Sequence, residues 1–118
     1  MGTWAAGPFE SDTALDYVGD VVDEICNTLD AFIEAPAIDE GFDEAFASAA
    51  LLLVLSQHTP AAPPEPERVK EWQKAMLECF DAQIDSMQPE AAFKRDHRVT
   101  LEKAFVDLIE RSSKFWKR

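Results

Sequence analysis

Between Ser11 and Glu34 six apolar residues, Leu15, Val18, Val22, Ile25, Leu29 and Phe32, recur in alternating steps of three and four. That spacing lays them along one face of an α-helix, whereas a strand, whose side chains alternate with period two, would scatter them over both faces. Ser11, Asp12 and Thr13 are candidate caps for its first turn, and the acids Asp12 and Asp16 suit the positive end of the helix dipole. Pro36 stops it.

The same period returns along the chain. A second helix is predicted from about Asp39 to Gln57, through "GFDEAFASAALLLVLSQ"; from Ala47 to Leu55 its one polar residue is Ser48. A helix apolar around its circumference belongs at the centre of a bundle, and this run is too short to span a bilayer. "HTPAAPPEPE", residues 58 to 67, holds four prolines; residues 58–66 read as an extended surface loop. A third helix is predicted from about Pro66 to Met87, with Val69, Trp72, Met76, Cys79, Phe80, Ile84 and Met87 on its apolar face and Trp72 as the core anchor. After Pro89, "EAAFKRDHR" reads either as a short helix or as a helical loop. From about Val99 a last helix carries Leu101, Phe105, Leu108 and Ser112 toward Phe115. No segment shows period two. The expected fold is all-α: an antiparallel bundle of about four main helices, with room for a short fifth. At 118 residues it is one domain, 1–118, able to bury roughly two-thirds of its unfolded surface.

Charge is distributed unevenly. Residues 1 to 67 hold 14 acids and no Lys or Arg, whereas residues 68 to 118 hold 9 acids and all 11 bases, giving halves of −14 and +2. Nucleic acid is not an expected partner, because a phosphate-facing surface needs cations. Neither is a membrane, since no segment reaches spanning length. Before Glu10 there is no basic n-region and no apolar run, so a cytoplasmic location is expected. Cys26 and Cys79 sit among helix-spaced apolar residues and read as reduced core residues.

The opening "MGTWAAGPFESD" places Trp4, Pro8 and Phe9 close to Met1. Gly7 and Pro8 offer a turn, so residues 1–10 read as an ordered N-terminal hook that packs Trp4 and Phe9 on the first helix, in preference to an aromatic displayed for a partner. "MGTWAAGPFESDTALDYVGD" resembles the start of a bacterial family known as domain of unknown function 4259, and the resemblance continues at "FIEAP" and "AFASAALLLVL". Ala5 departs from the family's usual Gly, and "PEAAFKRDHR" lacks an acidic, tryptophan-containing stretch. The resemblance implies that the opening is a signature of the fold; it implies no catalytic residue.

Two acidic groups are candidate sites. Asp16, Asp20, Asp23, Asp30 and Glu34, with Asn27 in the one gap, form a ridge opposite the apolar face of the first helix. Its plain reading is a solvated face; its functional reading is a docking surface for a basic protein. The second group is the turn "EAPAIDEGFDE", with Glu34, Asp39, Glu40, Asp43 and Glu44. Two of these carboxylates brought close would differ in pKa and serve as acid and base. Carboxylates along an exposed ridge do not converge on one ion, so no metal is expected. No glycine-rich phosphate loop is present and His58 and His97 belong to no triad pattern, so no cofactor is expected either. The tail "ERSSKFWKR" gathers Arg111, Lys114, Lys117 and Arg118 around Phe115 and Trp116. It reads as a final helical turn, or as a basic segment that docks on the ridge within one chain or across a two-fold homodimer.

The leading expectation is a non-catalytic binding module, regulatory or toxin-neutralising, that recognises a basic protein surface. The alternatives are an enzyme using the acidic turn and a self-associating homodimer.

Overall fold

The computed structural model describes residues 6–117. They form four α-helices and one short 3-10 helix: α1 (Asp12–Glu34), α2 (Glu40–His58), α3 (Pro66–Gln83), the 3-10 turn Ile84–Met87, and α4 (Ala91–Trp116). The all-α bundle is as the periodicity predicts.

Local chemistry sets the ends. Ser11 caps α1, its Oγ accepting from the Ala14 N–H at 3.1 Å. Asp39 caps α2 by accepting from the Gly41 N–H at 2.8 Å. A Cβ on Gly41 would stand 3.1 Å from that carboxylate oxygen, a tight contact that the Asp39 side chain would have to yield to by a few tenths of an ångström. Pro66 opens α3 at a position whose N–H has no intrahelical partner. The helix read as continuing to Met87 tightens to 3-10 geometry at Ile84 and ends at Gln88, whose φ of 51° is left-handed.

Contacts run α1 to α2, α2 to α4, α4 to α3 and α3 to α1, a closed ring of four. Asp30 bonds Arg68 and Trp72 near the start of α3, while Gln83 at its end clamps the α1–α2 loop. α1 and α3 therefore run parallel. Likewise Phe42 and Phe46 meet His97, and Ser56 meets Arg111, so α2 and α4 run parallel. The fold is two antiparallel hairpins laid side by side, and the proline segment 59–65 carries the chain diagonally from α2 to α3.

Trp72, Phe42, Phe80, Phe105, Leu29, Leu52 and Met76 fill the centre and are almost wholly excluded from solvent. Cys26 and Cys79 are buried and free. Three details differ from the sequence reading. First, α2 is not enclosed: Ala47, Ala50, Leu51 and Val54 face outward, Leu51 and Val54 each about half exposed. In a ring of four every helix keeps one outer face, and the buried face of α2 uses the small residues Ala45, Ser48 and Ala49. Second, Pro63 and Pro64 are buried, so the proline segment is packed rather than displayed. Third, "EAAFKRDHR" contributes the first turns of α4, because Phe93 and His97 extend the stripe of Leu101 and Phe105 back by two turns. Of the hook, Trp4 lies outside the described residues. Its turn is formed, Glu10 N–H donating to the Gly7 carbonyl at 3.2 Å, and Phe9 is half-buried.

Ser112 is fully buried and its hydroxyl finds no partner among the described residues. An unsatisfied buried hydroxyl costs about 1–3 kcal/mol. Ser112→Ala is therefore expected to stabilise the protein by about 1 kcal/mol, read as a higher urea midpoint; a lower midpoint would reveal an unseen partner for the hydroxyl.

Candidate functional site

The first hairpin carries its negative charge with almost nothing to offset it. Asp16, Asp20, Asp23 and Glu34 are exposed on the outer side of α1, and Glu40, Asp43 and Glu44 are exposed on α2. Among the described residues none of these forms a salt bridge.

Asp30 is the exception, and it leaves the ridge. It turns toward α3, where it accepts from the Arg68 guanidinium and, at 2.8 Å, from the indole N–H of Trp72. The guanidinium lies 5.3 Å from the Trp72 ring centre. The hydrogen bond from Arg68, with a further one from Trp72, holds the Asp30 carboxyl below its ordinary pKa. Asp30 is therefore a structural tie between the hairpins. Nearby, burial pushes the Cys26 thiol up to about 11 against the opposing pull of Arg68, which keeps it a protonated, weakly nucleophilic group at neutral pH.

The second hairpin pairs most of its acids with its own bases, although Glu71, Glu78 and Lys74 form no salt bridge among the described residues. Arg98 holds Asp81 with two hydrogen bonds of 2.9 and 3.2 Å and Glu102 with one of 2.7 Å; Lys94 reaches Asp85, and Lys103 reaches Asp107. The C-terminal cations follow suit: Arg111 donates to the Ser56 carbonyl at 2.7 Å and Lys114 pairs with Glu110. The described part of the tail therefore approaches α1 through Trp116, whose indole N–H bonds the Pro63 carbonyl at 2.9 Å. There it closes one side of a cavity of about 450 Å³ lined also by Val22, Asp23, Cys26 and Arg68.

The acidic turn is divided between two depressions. Asp39, Glu40 and Asp43 line a cavity of about 420 Å³ with Phe42, Met87, Phe93 and His97. Glu44 lies on a different groove, beside Thr28 and Phe32, and Glu34 lines neither. Of the five carboxylates read as an acid–base group, Asp39, Glu40 and Asp43 thus share one cavity while Glu34 and Glu44 lie apart from it, and one oxygen of Asp39 is taken by its cap bond. His97, set aside in the sequence, is central here. Its ring lies 5.2 Å from Phe93, 5.4 Å from Phe80, 5.5 Å from Phe46 and 6.0 Å from Phe42. The signal was the four-residue step from Phe93 to His97 to Leu101, which includes a histidine where the stripe expects an apolar side chain. Gln83 gave no comparable signal; its amide accepts from Ile38 N–H at 3.0 Å and donates to the Pro36 carbonyl at 3.3 Å, fixing the turn that carries these acids.

No helix of the described residues is long and apolar enough to cross a membrane, and no three His, Cys, Asp or Glu side chains among them gather as a metal would need. A family model described as a domain of unknown function (DUF4259) matches residues 2–114. No curated protein and no solved structure matches the chain.

Proposed function

The chain belongs to the DUF4259 family, whose description carries no activity to transfer, and we propose that it is a non-catalytic protein-binding module whose first hairpin docks a basic protein. The observation that supports this reading is the segregation of charge: among the described residues the second hairpin pairs most of its acids with its own bases, Glu71 and Glu78 being exceptions, while the first leaves every carboxylate of α1 and α2 except Asp30 without a cation. Like charges spaced along a helix cost about 0.2–0.5 kcal/mol per pair, so a fold that needed only a soluble surface gains nothing from keeping them all of one sign. A basic partner gains steering and orientation from the same arrangement.

The test is capture from a cell extract at low salt, wild type beside an Asp16→Asn, Asp20→Asn, Asp23→Asn variant, read by quantitative mass spectrometry. Asp30 stays unchanged because it holds α3. The variant should keep or slightly raise its urea midpoint while losing a basic protein that wild type enriches by about tenfold or more. Equal capture by both proteins would reduce the ridge to a solvated face. Enrichment of the chain itself would replace the foreign partner with a homodimer.

A further inference from the structure

We propose that the cavity at the turn end of the bundle binds a small apolar ammonium ion, a primary or quaternary amine carried on an aromatic or short aliphatic body. The inference goes beyond the docking ridge of α1, since neither Asp16, Asp20 nor Asp23 lines this cavity, although Glu40 and Asp43 belong to the same acidic hairpin.

Its volume of about 420 Å³ falls within the size of sites that take small molecules. The floor is built from Phe42 and Ile84, both buried. At the mouth stand Met87 and Phe93, 61% and 56% exposed, a pairing of large apolar side chains in one concave place that marks a contact surface. Phe93 is held in position from behind: it stacks on His97 at 5.2 Å with 11° between the rings, and His97 is packed against Phe42, Phe46 and Phe80. One face of Phe93 is thereby covered by His97, and the ring still lines the cavity with more than half of its surface exposed.

Charge selects the ligand. Three carboxylates, Asp39, Glu40 and Asp43, line the cavity and no Lys or Arg does. Lys94, next to Phe93 in sequence, is engaged with Asp85 at 2.8 Å. The N-termini of α2 and α4 both lie at this end and contribute about half a positive charge each, less than the three carboxylates supply in the opposite sense. An anion is therefore repelled, and a neutral body gains only the apolar contact. A cation gains both the carboxylates and contact with the exposed Phe93 ring, whose quadrupole attracts it, while its apolar body covers Met87.

The experiment titrates the full chain with 2-phenylethylammonium, 2-phenylethanol and 3-phenylpropanoate, following the Met87 methyl and the His97 ring by NMR, with the buried Met76 methyl as a control for the fold. The ammonium should shift Met87 and His97 saturably, the alcohol should bind about tenfold more weakly or worse, and the carboxylate should leave both signals in place. A Glu40→Gln, Asp43→Asn variant should weaken ammonium binding by about tenfold with Met76 unmoved. Equal binding of alcohol and ammonium, an ammonium titration that leaves Met87 and His97 unmoved, or a variant that binds as tightly as wild type overturns the proposal.

Discussion

Trp72→Ala is expected to lower the free energy of unfolding by about 3–5 kcal/mol, the range for removing a buried aromatic and leaving a void. Trp72 heads the fully buried side chains, on a helix that packs against both α1 and α4. Domains of this kind hold about 5–15 kcal/mol in total, so the variant should unfold at a much lower urea concentration, with part of the population unfolded in buffer. Trp72→Phe separates the two contributions of the side chain, keeping most of the apolar volume and losing the indole N–H that Asp30 accepts. Its cost should be clearly smaller than that of the alanine variant; equal costs would mean that packing around the ring contributes little.

Asp30→Ala should cost about 2–3 kcal/mol, most of it from the Trp72 N–H left buried and unpaired. The ion pair with Arg68 adds little, because both partners are about 40% exposed and exposed pairs contribute at most about 1 kcal/mol. The sign of the pH dependence follows from the lowered carboxyl pKa, caused first by the Arg68 hydrogen bond. The unfolded chain takes up the proton at a higher pH than the folded one, so the stabilisation is full above the ordinary Asp value of about 3.9 and is lost as pH falls through the lower folded value. Urea unfolding between pH 6 and pH 3 should show wild type losing this contribution at the acid end. Asp30→Asn should show a flatter acid limb, and identical limbs would contradict the role given to Asp30.

How far the sequence could be read depends on how local each feature is. The four helices and the core faces of α1 and α3 follow from steps of three and four, contained within a turn or two; capping chemistry narrowed the start of α1 to Ser11, Asp12 or Thr13, of which Ser11 is the cap, and put the start of α2 near Asp39. The start of α4 was hidden because His97 occupies an apolar position, and only the surrounding Phe42, Phe46 and Phe80 from other helices show why it fits. The stop after Met87 coincides with the left-handed Gln88, but the tightening from α to 3-10 geometry at Ile84 left no mark in the apolar spacing. Within the ridge, Asp30 could not be told from Asp23 by spacing; the difference is Arg68, thirty-eight residues away. The same limit applies to the exposed face of α2, since a wholly apolar helix reads as central until its neighbours are known.

The docking proposal rests on electrostatics, and salt is its most direct probe. The measurement is the affinity of wild type and of the Asp16→Asn, Asp20→Asn, Asp23→Asn variant for the captured basic protein across a series from low to high salt, where screening shortens the reach of each charge to below about 10 Å. The account predicts that wild-type affinity falls steeply with salt and that the variant binds weakly with a shallower slope. Equal slopes for the two proteins, or an affinity indifferent to salt, would contradict it.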